Sequence, residues 1–299
     1  GWGNHDIVSA AGHPVLDIYD SPRPALGVTS PVAAPVGETP ERNYSFDYGN
    51  VHFVTIDTNS YTDATRLAKQ LVWAKADLQA SSAKWIVVFV HFPIVSISFT
   101  STGPNSNYFQ KMVSELLGGG ADLLFVGHAH TYERSFPITG QSGGVVTVTD
   151  TNDNDYAKGA GLTEVVSGLG GRDFHGGTGT PNWLVYGHTS ASQYNRFGSA
   201  VPVTFGFTKI DVTSNQLTIS QIKASDGSVV DSFTITGGMS GTNVQPASLV
   251  AGAQGNVAVS FTNSSTIPSD GKVQVILPNS LGNGFVANSG GTTAVSASS

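Results

Sequence analysis

The hydrophobic pattern changes character along this chain. Residues 44–57, YSFDYGNVHFVTID, predict two strands joined around Gly49 and Asn50, the second apolar enough to be buried. Leu67, Leu71, Ala74 and Leu78 then recur at helical spacing behind Thr62 or Asp63, either of which can cap a helix. KWIVVFVHFP reads as a buried strand ending near His91, because Pro93 removes a ladder donor. Phe109, Met112, Val113 and Leu116 mark a second helix from about Ser106 to Leu117, stopped by the glycines at 118–120. ADLLFVGHAH follows at once as another buried strand.

This order of helix, buried strand, helix, buried strand predicts an α/β arrangement with helices covering the strands. Both strands run into histidines. Sites in open α/β sheets lie beyond the carboxyl ends of the strands, so His91, His128 and His130 are expected to converge there. From Leu162 onward the pattern is all-β. TEVVSGLGG is followed by GFTKIDV, QLTISQIKA and VVDSFTITG, the last three separated by turn signals at Ser214–Asn215 and Asp226–Gly227. These three are expected at the edge of a second sheet packed on the first. GGMSGTN at 237–243 reads as a linker, and residues 244–299 alternate like a short, incomplete immunoglobulin-like β-sandwich.

Composition narrows the functional classes. Charged residues are only 12% of the chain, about half the usual share, with Gly, Ser and Thr in their place, as in many extracellular proteins. The net charge of −7 argues against nucleic acid as a partner. Without cysteine, disulfides, thiol catalysis and Cys-ligated metals are excluded. No eighteen-residue apolar run offers a membrane-spanning helix. Sequons at Asn43 and Asn263 fit a secreted or cell-surface glycoprotein.

The chemistry is carried by three short motifs in order: GNHD with Asn4, His5 and Asp6, the strand ending at His91, and GHAH with His128 and His130. Imidazole and amide oxygen suit borderline ions such as Zn, Fe and Mn. Two residues apart on a regular strand, His128 and His130 would share a face; in a loop past a strand end they can diverge towards two metals. Other histidines read more plainly. His52, inside VHFV, is expected in the core, and His13, His175 and His188 in solvated loops. DTNDNDY at 150–156 lacks the glycine and distal Glu of a calcium loop and reads as a solvated acidic turn.

Taken together, GNHD, YSFDYGNVHFVTIDT, QLVWAKADL, GHAHTYERS, VVSGLGG and GFTKIDV…DGSVVDSF resemble the calcineurin-like metallophosphoesterases, and within them the purple acid phosphatases, over roughly residues 1–236. The resemblance implies an α/β/β/α fold, a β-sandwich flanked by helices, and a binuclear centre of Fe with Zn, Mn or Fe. It implies that Asn4, His91 and His128 ligate one metal and His130 the other. His5 would contact the phosphate of a phosphate-ester substrate, with Asp6 orienting it. The family's upstream D-x-G and G-D-x-x-Y segments have no counterpart after Gly1, so the chain is expected to be the C-terminal part of its domain and inactive alone. FPIVSISFTSTG after His91 also lacks the substrate-contacting histidines of plant-type members. Two functions follow: a secreted or cell-surface phosphatase, or an inactive extracellular structural or adhesive protein with that fold. In either, the C-terminal β module is a candidate for self-association or cell-surface contacts.

Overall fold

The computed structural model describes residues 4, 42–59, 61–100, 103–237, 240–246 and 257–262, in two compact units that divide after Gly238. The first unit begins with β1 (Tyr44–Tyr48) and β2 (Val51–Thr55), an antiparallel hairpin turning at Gly49 in a left-handed conformation (φ 61°) that glycine adopts freely. Helix α1 (Ala64–Ala80) follows. Of the two caps the sequence offers, Asp63 takes the role, its carboxylate accepting the N–H groups of Thr65 and Arg66 at 3.0 Å each.

Next come β3 (Trp85–Phe89), α2 (Asn107–Gly119) and β4 (Leu123–Val126). The Ser106 hydroxyl caps α2 by accepting the Phe109 N–H at 3.0 Å. The helix runs through Gly118 and Gly119 and is ended by Gly120 alone, at φ 85°. Then follow β5 (Tyr132–Ser135), β6 (Ile138–Ser142), β7 (Val145–Val148), β8 (Asp155–Ala157) and β9 (Thr163–Ser167). The unit closes with β10 (Leu184–His188), β11 (Gln193–Asn195), β12 (Gly206–Val212), β13 (Gln216–Lys223) and β14 (Val229–Thr236).

These strands build two sheets and a β6–β7 hairpin. The larger, mixed sheet has the order β1-β2-β3-β4-β9-β5-β10-β11, with β2, β3, β4 and β9 parallel to one another. The smaller has the order β12-β13-β14-β8, where β8 is an added parallel edge strand that the sequence pattern did not announce. Period-two alternation divides β3 between two cores. Ile86 and Val88 face the helices, joining Leu67, Leu71, Phe109 and Met112, while Trp85 and Val87 face the second sheet, joining Leu217, Ile219 and Phe233. The layers are therefore helices, large sheet, small sheet. The fourth layer expected on the outer face of the small sheet has no counterpart among the described residues, where Phe207 and Val229 stay exposed.

The second core is also tied by charge. Arg134, fully buried on β5, donates through Nε and Nη2 to both oxygens of Asp231 on β14 at 2.7 and 2.9 Å, and its plane lies 4.7 Å from the Phe233 ring centre. Tyr132 donates its hydroxyl to the same carboxylate at 2.8 Å.

Several sequence expectations are corrected here. His188 is not in a solvated loop: it ends β10 completely buried, its ring edge-on to Tyr186 at 5.0 Å, and burial holds its pKa below the usual histidine value. Asn43, a glycosylation candidate by its sequon, is fully buried, its side-chain oxygen accepting the Asp57 N–H at 3.0 Å. Asn263 lies outside the described residues. In the second unit, β15 (Ser240–Pro246) pairs antiparallel with β16 (Val257–Thr262). Part of the stretch read as linker is thus a strand, because a partner overrides the weak propensity of Gly and Ser. The remaining strands expected in residues 244–299 lie outside the described residues. The stretch 150–156, read as a solvated acidic turn, is one only as far as Asn154, with Asp150 accepting the Ala157 N–H at 2.7 Å and Asp153 that of Asp155 at 2.8 Å; Asp155 and Tyr156 belong to β8, and Tyr156 is buried in the second core.

Candidate metal centre

β3 and β4 are adjacent and parallel, so the residues just past them emerge side by side at one edge of the sheet. The Gly127 N–H donates to the His91 carbonyl at 3.0 Å, extending the pairing past both strand ends. The Thr58 hydroxyl, from the loop after β2, accepts the N–H groups of His91 and Phe92 at 3.1 and 3.2 Å. Three neighbouring strand ends therefore hold His91.

His128 sits at the centre of a three-residue turn. Ala129 donates its N–H to the Gly127 carbonyl at 2.7 Å, and His128 takes φ 62°, a region a non-glycine residue enters at a cost of about 1–3 kcal/mol. This departure from the strand resolves the open question about GHAH: its histidines lie in a loop and do not share a strand face. The His128 ring is packed between Phe92 and Phe99, with ring centres 4.4 and 4.5 Å away, and meets His91 edge-on at 5.1 Å.

Three donor atoms come together here. Asn4 Oδ1 is 2.7 Å from His91 Nε2 and 3.4 Å from His128 Nδ1, and the two ring nitrogens are 3.2 Å apart. Atoms bound ~2.1 Å from one ion at tetrahedral or octahedral angles lie ~3.0–3.4 Å from one another. The 3.2 and 3.4 Å spacings lie in that range and the 2.7 Å pair is at hydrogen-bond distance, so two imidazole nitrogens and an amide oxygen gather here as a donor set of the kind borderline cations take. His5 and Asp6 lie outside the described residues.

His130 points into a different set of partners. Its Nδ1 is 2.8 Å from the Asp173 carbonyl, which can only accept, so Nδ1 carries the proton and Nε2 keeps its lone pair for a ligand. His175, read from sequence as solvated, stacks on His130 with ring centres 3.9 Å apart, and its Nδ1 accepts the His130 backbone N–H at 3.0 Å. Burial, then the neighbouring His130 and Arg172, lowers the His175 pKa. The clue available in the sequence was position: FHGG follows the end of VVSGLGG, another strand that ends at this edge. Among the described residues no group of three or more His, Cys, Asp or Glu side chains forms a metal site. Among the described residues the converging set is two histidines with an asparagine, and the group beside His130 is the ring of His175.

Comparison with known proteins finds relatives over both motif-bearing segments. Residues 2–132 match the Calcineurin-like phosphoesterase family and residues 161–232 match Iron/zinc purple acid phosphatase-like protein C. An acid phosphatase of Aspergillus ficuum is 26% identical over 247 residues, covering 64% of this chain and 37% of that protein. "Probable inactive purple acid phosphatase 1" of Arabidopsis thaliana is 26% identical over 201 residues, covering 64% and 30%. The structure of purple acid phosphatase PPD1 from yellow lupin (Lupinus luteus) seeds shares the fold, with a TM-score of 0.58 at 21% identity over 79% of this chain and 37% of that one. The chain thus spans about a third of the length of these relatives. Both motif-bearing segments are thus similar, in order, to calcineurin-like phosphoesterases of the purple acid phosphatase type.

Proposed function

We propose that the protein is a phosphatase of the purple acid phosphatase type, hydrolysing phosphate monoesters at a binuclear centre. The observation that carries this reading is the convergence of Asn4 Oδ1, His91 Nε2 and His128 Nδ1 within 2.7–3.4 Å of one another. These three hold one ion, and His130, its proton fixed on Nδ1 by Asp173, offers Nε2 to the second. Such a pair of ions supplies positive charge for the phosphoryl oxygens and activates water. His5 hydrogen-bonds the substrate phosphate as negative charge develops, and Asp6 holds that imidazole in place. A bridging carboxylate in the family's form is not found in this sequence, so the activity proposed is that of the whole protein. The sparse charge and the Asn263 sequon support a secreted or cell-surface location, with the C-terminal strands as a surface for self-association or cell-surface partners.

A second reading, a phosphatase-like fold kept without turnover, is favoured by the relative whose own name calls it inactive. One experiment separates them. Elemental analysis of the full-length protein, purified without chelator, is paired with hydrolysis of p-nitrophenyl phosphate. About two equivalents of Fe, Zn or Mn with turnover supports the enzyme. Metal without turnover supports the second reading, and absence of metal overturns the first.

A further inference from the structure

The segment after His91 has no strand partner among the described residues, and several of its amides are satisfied by two buried acids. Glu164 on β9 accepts the N–H of Ile94 through Oε2 at 2.7 Å and that of Val95 through Oε1 at 3.2 Å. Glu133 on β5 accepts the Ile97 N–H through Oε2 at 2.8 Å, and through Oε1 the hydroxyls of Ser96 and Thr131, both at 2.8 Å. The Ser96 oxygen in turn accepts the N–H groups of Ser98 and Phe99 at 3.0 Å each. Both acids are almost wholly buried, at 2% and 1% exposure.

Two carboxylates in one interior region are costly. Burial pushes both up from the usual carboxyl range, and Glu133 pushes Glu164 further. Apolar side chains would serve a simple packing role better. What a carboxylate provides is a pair of acceptors for backbone donors that otherwise have none. The connected path runs from Glu133 through Ser96 to Phe99, whose ring lies 4.5 Å from that of His128. Phe92, on the other flank of His128, begins the same segment.

We propose that Glu133 and Glu164 are positioning residues, which fix Ile94–Phe99 so that Phe92 and Phe99 hold the His128 ring towards Asn4 and His91. The purpose of this arrangement rests on His128 as a ligand; the clamp itself does not. Val95 and Ser96 of this segment also line an open pocket of about 390 Å³, together with Thr100, Pro104, Asn105 and Trp183.

The test uses metal-free full-length protein, so that failure of metal binding and failure of the clamp are separable. Amide exchange is followed across Phe92–Phe99, and the His128 ring resonance, assigned with H128Q, is followed by 13C-histidine NMR. E164Q places an NH₂ where an acceptor is needed and raises exchange at Ile94 and Val95 by roughly ten- to a hundredfold. S96A raises exchange at Ser98 and Phe99 and shifts or broadens the His128 signal, whereas S96T, which keeps the hydroxyl, restores both. I219A in the second core, a general destabilisation, leaves the His128 signal in place. Unchanged exchange and an unchanged His128 signal in S96A and E164Q overturn the proposal, as does failure of S96T to restore them. Should E164Q not fold, the Ser96 pair decides, because that side chain is only partly buried.

Discussion

A β-carbon on Gly168 would sit 1.9 Å from the carbonyl oxygen of Ala129, between the two histidines of GHAH. Gly168 also donates its N–H to the Thr131 carbonyl at 2.8 Å. The end of β9 thus runs directly against the loop that carries His128 and His130, at a distance only glycine permits. Gly168→Ala must displace one backbone or the other. We expect it to lower stability by about 1–3 kcal/mol, as overpacking does, and to reduce bound metal beyond what the loss of folded protein explains. Thermal melts with elemental analysis of the folded fraction check both, and normal metal content would contradict the close packing.

His175 should act through His130. His175→Ala removes an acceptor from the His130 N–H and the ring stacked on its side chain. Loss of such an outer partner typically weakens a metal site by roughly 10- to 100-fold. Zinc titration of the full-length variant is expected to show one site weakened and the other, served by Asn4, His91 and His128, unaffected. Equal weakening of both would refute this division.

Two buried histidines should give stability opposite dependences on pH. His52 has Asp47 Oδ1 2.6 Å from Nδ1 and Asp77 Oδ2 3.0 Å from Nε2. Burial pulls its pKa down, but the hydrogen bonds to Asp77 and Asp47 and their charges win, leaving it above the ordinary 6.5. Its contribution is fully present below pH 6.5 and is lost as pH rises through the folded value. His188 is the reverse, since burial lowers its pKa and the unfolded chain takes the proton first as pH falls below 6.5. Urea denaturation across this range should show H52Q flattening the alkaline decline and H188F the acidic one. An unchanged pH profile in either variant would rule out that histidine as the source.

The Arg134–Asp231 pair should be costly to break and cheap to replace. Asp231→Ala leaves a fully buried guanidinium facing Tyr132 and Tyr156, and is expected to cost about 3–5 kcal/mol. Removing both charges, as in R134M with D231L, should recover much of that loss, because a buried pair brings little net stability over apolar packing. Chemical denaturation of the single and double variants closes the cycle. A double variant as unstable as the single would show that the ion pair itself holds the two sheets together.

Where residues are close in sequence and their pattern is periodic, the chain alone determined the outcome. The helices at 64–80 and 107–119, the buried strands before His91 and His128, and the three-stranded meander from Gly206 to Thr236 all follow from spacing and local hydrogen bonding. Three motifs in order were enough to mark the family, because their residue types are dictated by the chemistry.

What the tertiary structure alone decided depends on contacts between distant residues. Asn4 meets His91 across 87 positions, Glu164 reaches back 70 to Ile94, and Arg134 finds Asp231 across 97. Period-two alternation says which residues share a face but not which other strand that face meets, so these pairings leave no local trace. The same limit explains His188 and Asn43, whose Gly-rich and polar neighbours look like surface. Burial is a property of the assembled layers, and a polar residue enters them when a distant partner or a closing sheet covers it.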